Sequence, residues 1–194
     1  MHKLTHLRVA KLIKKAIERE SGIELNTRSF LYGNIKPDIS YRFIKIPHSK
    51  HKSFDFLKGE IQKLTEYKID RHEVCTKEFS RKLGIITHFI SDFFCHAHKK
   101  GFYGNAVKHF LYEFRLNSYF KRNAVTIYSF NFLKNSSTAP NRRNIPELIE
   151  ELHYKYSKRK STYARDIIFA LKACICTAVS IVLSCMGSEA YVAA

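Results

Sequence analysis

The sequence predicts an all-α fold in a single domain of about seven helices. A chain of 194 residues is long enough for one domain with a buried core. Its 45% hydrophobic and 26% charged residues are typical of a globular protein, and only seven glycines and four prolines interrupt it. No segment shows the strong alternation of a half-buried strand. We therefore treat 1–194 as one domain, with the candidate site in 1–120 and a helical remainder at 144–187.

The first helices are predicted from apolar spacing and from residues that begin or end a helix. Residues 5–20 carry apolar side chains at helical intervals, with Thr5 as the predicted N-cap and Gly22 at the C-terminal end. A shorter helix is predicted for residues 27–32. Pro37 disfavours a helix at the residue before it, so the loop that follows is free to aim a side chain at a site.

The later helices are predicted in the same way. Residues 131–144 are rich in Asn, Ser and Pro and are predicted to form an exposed loop. Five further helices are predicted. The first has Ser53 as its N-cap and ends at about Lys68, and the second runs from about Arg71 into residues 87–98. The others run from about Tyr103 to Arg122, from Pro146 (with Asn144 as the cap) to about Lys158, and from Ile167 to Met186.

The last of these helices raises the question of a membrane. Residues 167–186 are apolar over the length that a bilayer crossing requires. However, Lys172 lies within the run, and Thr177, Ser180 and Ser184 recur among its small residues. We therefore favour a buried core helix over a membrane anchor.

Charge and cysteine content indicate the kind of partner and the compartment. A net charge of +17 favours an anionic partner, such as a phospholipid surface, a nucleic acid or a phosphate ester, with a solvated basic surface as the alternative. The five cysteines are odd in number, and the N-terminus runs into an amphipathic segment rather than a secretory signal. We expect reduced thiols and a cytoplasmic protein, with membrane association left open.

Two pairs of ionisable residues form the candidate site. His88 and Asp92 are four positions apart, so on a helix they point the same way. His109 and Glu113 repeat this spacing on the next predicted helix. Histidine and carboxylate are ligands of zinc, and helical bundles build such sites between facing helices. The alternative is two surface ion pairs, but apolar neighbours such as Phe89 argue against it, because charged groups in such surroundings need partners.

Two further histidines, His96 and His98, lie between these pairs. On an ideal helix His96 continues the stripe of His88 and Asp92, whereas His98 lies about 120° from Asp92. Either His96 is the ligand and the helix continues, or the helix ends near Cys95 and His98 swings in from the turn. Periodicity alone leaves both arrangements open.

The order and spacing of these residues resemble the zinc-dependent phospholipase C family, which shares its metal site with fungal and plant single-strand nucleases. The resemblance covers roughly residues 1–120. The motifs that carry it are His88-x3-Asp92-x5-His98 followed by His109-x3-Glu113, preceded in matching order by Thr5-His6, by the loop Gly33 to Asp38, and by a histidine 10 to 13 positions later, either His48 or His51.

The resemblance implies a site for two or three zinc ions, with His98 rather than His96 as a ligand. Secreted members of the family use an N-terminal tryptophan as a ligand, but this chain has no tryptophan, so either the Met1 amine replaces it or the third ion is weak or missing. Asp38 would also orient or deprotonate the attacking water. The implied ligands are Asp38, His88, Asp92 and either His48 or His51 for the first ion; His98, His109 and Glu113 for the second; and His6, Asp92 and Met1 for the third.

The function that the resemblance implies is hydrolysis of a phosphodiester, with a metal-activated water attacking a phospholipid head group at a peripheral membrane contact. One alternative is a single-strand nuclease or nucleotidase with the same metals, which the positive charge also suits and which would need aromatic side chains to stack on bases. Another is a catalytically silent, metal-stabilised binding protein. The remaining histidines, His2, His72 and His153, are expected at the surface.

Overall fold

The computed structural model describes residues 1–69, 75–102, 105–129 and 144–186, and over these ranges it is helical, without a strand. The predicted all-α class is confirmed, and seven of the nine helices in these ranges have seven or more residues. The helices are α1 Lys3–Ser21, α2 Thr27–Gly33, α3 Tyr41–Ile44, α4 Lys50–Thr65, α5 Lys77–Phe93, α6 Ala106–Arg122, α7 Ala124–Ser129, α8 Ile145–Ser157 and α9 Tyr163–Cys185, with 3₁₀ turns at Lys36–Asp38 and His96–His98.

Helix α9 forms the centre of the bundle. It packs against α1, α4, α5, α6 and α8. Its length and apolar composition would allow a membrane crossing, yet 72% of its most apolar 18-residue window is buried inside the protein. This packing agrees with the preference for a core helix.

Helices α2 and α5 approach one another through two glycines. A Cβ atom placed on Gly84 would lie 2.4 Å from the carbonyl oxygen of Phe30, and one placed on Gly33 would lie 2.3 Å from that of Arg81. The two backbones are therefore in direct contact, and a larger residue fits at neither position. This contact sets Asn34, the residue after α2, against the helix that carries His88 and Asp92.

Helix α1 begins earlier than predicted. It starts at Lys3, and the His2 side chain caps it by accepting from the N–H of Leu4, so the predicted N-cap at Thr5 is wrong. Thr5 is completely buried instead, and its hydroxyl donates to Asn117 Oδ1 on α6 (3.3 Å). The side chain that looked like a cap therefore joins two helices. The predicted C-terminal end at Gly22 is confirmed, with φ of 69°.

The starts of α4 and α5 also differ from the prediction. Helix α4 begins at Lys50, and the hydroxyl of Ser53 donates to the carbonyl of Ser49 inside the helix (3.0 Å), so Ser53 is not an N-cap. Helix α5 is capped by Thr76, whose side chain accepts from the N–H of Phe79. The predicted start near Arg71 lies outside the described residues.

The helix after the long predicted loop is as expected. Helix α8 has Asn144 as its N-cap and Pro146 in its first turn. The predicted loop 131–144 lies outside the described residues except for Asn144, and so does the predicted start of α6 at Tyr103. All five cysteines are free and buried, in agreement with the expected reduced thiols.

Two of the three histidines expected at the surface lie in the described part of the chain, and both are half-buried. His2 is half-buried at the start of α1, and His72 lies outside the described residues. His153 is half-buried like His2, so the predicted surface position is wrong for both, and the His153 ring lies 5.6 Å from that of Phe94 between centroids. Its helix, α8, packs that face against the core.

Candidate metal centre

Helix α5 carries two predicted ligands into the core and ends before a third. His88 and Asp92 are both completely buried. The helix ends at Phe93, and the following 3₁₀ turn brings His98 Nε2 to 3.4 Å from Asp92 Oδ1. The predicted break in the helix before His98 is confirmed.

The structure does not bring His96 to this cluster. Its ring packs edge-on against Phe102, with 5.4 Å between centroids, and lies near Tyr112. Its backbone N–H donates to Asp166 Oδ2 on α9 (2.8 Å). The hydroxyls of Tyr112 and Tyr156 donate to the same carboxylate at 2.8 and 2.7 Å. A buried carboxylate with three donors thus anchors the turn that carries His98.

One group of potential ligands surrounds the carboxylate of Asp92. His88 Nε2 lies 3.3 Å from Asp92 Oδ2, and His6 Nε2 lies 3.4 Å from Asp92 Oδ1. Asp38 Oδ1 is 3.6 Å from His88 Nε2. One ligand atom from each of these four residues lies within 4.8 Å of the others. His48 adjoins them, with Nδ1 2.8 Å from Asp92 Oδ2.

The sequence left His48 and His51 as alternatives, and the structure brings His48 to the group. His48 follows Pro47 in the loop after α3, and its Nδ1 also lies 3.7 Å from Asp38 Oδ1. His51, in the first turn of α4, is exposed and lines a neighbouring cavity.

A second group joins the 3₁₀ turn to α6. His98 Nε2 and His109 Nε2 lie 3.0 and 2.9 Å from Glu113 Oε1. The Met1 amine donates to the carboxylate of Asp92, and it lies 3.0 Å from His98 Nε2 and 3.1 Å from Glu113 Oε1. The two groups therefore meet at Asp92 and at the Met1 amine.

Cys95 belongs to this second group by position, although sequence reasoning did not count it among the ligands. Its sulfur, a ring nitrogen of His98 and a carboxylate oxygen of Glu113 lie within 4.8 Å of one another. Cys95 is completely buried, and burial raises the pKa of its thiol well above the ordinary value. The signal in the sequence was its place between Asp92 and His98.

Hydrogen bonds behind the cluster determine which imidazole nitrogen faces it. His88 Nδ1 lies 2.8 Å from the carbonyl oxygen of Asn34, which only accepts, so Nδ1 holds the proton and Nε2 the lone pair. The Ser91 hydroxyl donates to the carbonyl of His88 (2.8 Å) and lies 3.0 Å from His6 Nδ1. Because that hydroxyl proton is used, His6 Nδ1 is the donor to Ser91, and His6 Nε2 keeps its lone pair. The sequence marked neither Asn34 nor Ser91, because such contacts follow no motif.

The residues fit a bound metal ion. His6 Nε2 is buried and has no hydrogen-bond partner in the part of the chain that the structure describes. Burial, together with the neighbouring His88, lowers the pKa of His6 to about 3, so its ring is neutral. A buried lone pair that faces carboxylate oxygens is unfavourable without a cation between them. Imidazole and carboxylate together are the ligand types of zinc.

The protonation states agree with this interpretation. Burial disfavours an ionised Asp92, but His98 and the Met1 amine hold its pKa well below the ordinary range. Burial also opposes a charged amine at Met1, but Asp92 and Glu113 raise its pKa to about 12, so a metal ion would displace a proton there. Burial, with the nearby Asp92, raises the pKa of Asp38.

The fold and the site together define an all-α protein whose adjoining histidine and carboxylate groups suit metal ions. The sequence model of zinc-dependent phospholipase C matches residues 5–163 of the 194-residue chain. The chain belongs to the zinc-dependent phospholipase C family, as the resemblance of its motifs predicted. No curated protein and no solved structure matches it. Family membership supports zinc as the metal and a hydrolase as the class of protein.

Proposed function

We propose that this protein is a zinc-dependent phosphodiester hydrolase of the phospholipase C type that acts on a phospholipid head group. The observation that carries the proposal is the convergence of His6, Asp38, His88 and Asp92 within 4.8 Å, beside a cavity of about 630 Å³ that Asp38 helps to line. Family membership adds the metal and the general class of reaction.

The protein's own part is to present lone pairs in fixed directions. The hydrogen bonds of His6 Nδ1 and His88 Nδ1 keep both Nε2 atoms facing the cluster. Zinc ions held there would supply Lewis acidity toward phosphate oxygens and would make a nucleophilic water available at neutral pH. The proposed ligands are Asp38, His48, His88 and Asp92 for one ion; His98, His109 and Glu113 for another; and Met1, His6 and Asp92 for a third.

Asp38 is the candidate general base. Its side chain is 19% exposed and lines the cavity, whereas the side chain of Asp92 is completely buried. A carboxylate at the cavity wall can take a proton from an attacking water, which is the role of a general base.

The mouth of the cavity favours a lipid over a nucleic acid. Ile44 and Phe110 line the cavity and are 61% and 58% exposed. Leu4, in the first turn of α1, is also exposed beside the lining residue Lys3. Exposed apolar groups next to basic ones suit a peripheral contact with an anionic membrane surface. A nuclease would need several aromatic stacking surfaces, and Phe110 is the one Phe, Tyr or Trp among the described lining residues.

Zinc content and hydrolysis test the proposal together. We expect metal-replete protein to bind two or three zinc ions per chain and to hydrolyse phosphatidylcholine until a chelator is added. Less than one zinc per chain would overturn the site. Cleavage of single-stranded DNA without cleavage of lipid would favour the nuclease, and full zinc content without any hydrolysis would favour the silent binding protein.

A matched pair of variants tests the ligand assignment. His48→Ala should lower the zinc content, because Nδ1 of His48 lies among the ligand atoms. His51→Ala, three residues later on an exposed turn, should keep the zinc content of the wild type. The opposite result would assign the ligand to His51.

A further inference from the structure

A second cavity adjoins the metal centre and is lined by basic side chains. Its volume is about 250 Å³, and His98 forms part of the wall of both cavities. Three of its described lining residues are lysines, two more are histidines besides His98, and none is acidic. They are Lys50, His51, Phe93, Lys99, Lys100, His153 and Ser157.

The charge of these lysines is only partly compensated. Lys99 is half-buried, and its Nζ donates to the neutral hydroxyl of Ser161 (2.8 Å) and lies 3.9 Å from the ring centroid of Tyr156. No described carboxylate forms a salt bridge with it. Lys50 Nζ lies 3.3 Å from Glu150, but that side chain is 58% exposed, so solvent weakens the pair. The cavity therefore keeps a surplus of positive charge.

Lys50 and Lys99 both act on one side chain of the cavity wall, the ring of His153. Burial, followed by repulsion from Lys50 and then from Lys99, lowers the pKa of His153 to about 4, so both cations act on one neutral ring. Like charges held together in a half-buried cavity are unfavourable until an anion joins them.

We infer that this cavity is an anion subsite for the head group of the substrate. The subsite binds a phosphomonoester on the head group, while the phosphodiester of the same substrate lies at the metal centre. The inference rests on the proposed function. The ammonium groups of the lining lysines are donors that suit a compact dianion. The shared wall at His98 places the two cavities within reach of one head group. A choline group is disfavoured in this cavity, because a quaternary ammonium prefers an aromatic cage to a set of cations.

The substrate class that this subsite would favour is thus an acidic phospholipid with a phosphorylated head group, in preference to lipids such as phosphatidylcholine. The test uses zinc-loaded full-length protein and two soluble short-chain lipids, phosphatidylinositol and its monophosphate, which differ by one phosphomonoester. We expect the wild type to prefer the phosphorylated lipid in kcat/KM by about tenfold or more. The double variant Lys50→Gln with Lys99→Gln should bring this ratio close to one.

Two further variants control for charge and for folding. Lys15→Gln removes the same charge from an exposed position on α1, outside the cavity, and should keep the wild-type ratio. Lys100→Gln changes an exposed lining residue, where damage to the fold is not expected, and should lower the ratio in part. An equal ratio in wild type and all variants would overturn the subsite.

Calorimetric binding of the same two lipids separates failure of the subsite from failure of the proposed function. In one outcome neither lipid is hydrolysed, while the wild type still binds the phosphorylated lipid roughly tenfold more tightly than phosphatidylinositol and the double lysine variant does not. That result would support the subsite and would contradict the proposed hydrolase. If both lipids are hydrolysed and bound equally, the hydrolase stands and the subsite does not. The same two head groups can also be tested as soluble diesters without acyl chains. An equal preference for the phosphorylated diester would support the subsite and would indicate a soluble phosphodiester, rather than a membrane lipid, as the substrate.

Discussion

The close contact between α2 and α5 gives the sharpest prediction about the fold that holds the site. In Gly84→Ala the new Cβ would lie 2.4 Å from the carbonyl oxygen of Phe30, 2.9 Å from Gly33 Cα and 3.0 Å from Asn34 N. All three are backbone atoms that no side-chain rotation can move. Overpacking of this kind costs about 1–3 kcal/mol, and the helix preference for alanine offsets about 1 kcal/mol of it. The difference is a net loss of about 0–2 kcal/mol in the free energy of unfolding, and we expect about 2 kcal/mol because the contacts are with backbone atoms.

The matched control is Gly59→Ala in α4, where a new Cβ meets nothing within 4 Å. It should gain about 0.5–1 kcal/mol, and urea denaturation of the two variants measures the contrast. Gly84→Ala should also bind zinc roughly 10–100-fold more weakly, because α2 moves the Asn34 carbonyl that orients His88. A Gly84→Ala protein with wild-type stability and zinc affinity would refute the backbone contact.

Three other changes test the surroundings of the site. Ser91→Ala removes the hydroxyl that accepts from the imidazole of His6, a proposed zinc ligand, and should weaken zinc binding roughly 10–100-fold in competition with a chromophoric chelator. Ser118→Ala removes a hydroxyl from α6 away from the site and should leave the affinity unchanged; equal affinities of the two variants would contradict the role of Ser91. A second change is His153→Gln. The pKa of His153 is lowered from the ordinary 6.5 to about 4 in the folded protein. As the pH drops from 6.5 towards 4, the unfolded chain is therefore protonated at His153 before the folded protein is, and the free energy of unfolding decreases. This decrease is at most about 1.4 kcal/mol per pH unit, and solvent exposure of the ring reduces it. Between about pH 7 and about pH 5, denaturation should show a smaller decrease in the free energy of unfolding for His153→Gln than for the wild type. Equal decreases would contradict the lowered pKa. Asp166→Asn weakens the anchor of the 3₁₀ turn and should cost about 1–3 kcal/mol of stability and lower the zinc content, since the N–H of His96 donates to this carboxylate; unchanged values of both would exclude that anchoring role.

Much of the arrangement could be predicted because it depends on local spacing. The scarcity of glycine and proline predicted long helices, and the four-residue spacing of His88 and Asp92 predicted that both would face one side of α5. The same spacing placed His109 next to Glu113 on α6, where the two side chains lie 2.9 Å apart. Local geometry of this kind needs no knowledge of the partner helices.

The choices that the sequence left open depend on contacts between distant residues. His96 rather than His98 continues the helical stripe, but Asp166, 70 residues later in the chain, accepts from the N–H of His96 and anchors the turn at the helix end. His48 and His51 follow Asp38 by 10 and 13 positions, so their spacing in the sequence allows either one as the ligand. The packing of α4 decides which of the two rings faces the cluster. The roles of distant partners follow no spacing rule, so periodicity could not find them.

The large positive charge and the metal centre are connected through the placement of the few acidic residues. The chain has 17 Asp and Glu against 34 Lys and Arg, yet Asp92 and Asp166 are completely buried, and Glu113 is only 13% exposed. A buried carboxylate is strongly unfavourable without partners, so its presence points to cations or donors gathered around it. Asp166 has its donors in tyrosine hydroxyls and a backbone N–H, whereas Asp92 and Glu113 face imidazoles and an amine that a metal ion would join. The acidic centre can thus hold cations, and the lysines of the adjoining cavity can meet an anion, which is the charge pattern that the proposed anionic phosphodiester substrate would require.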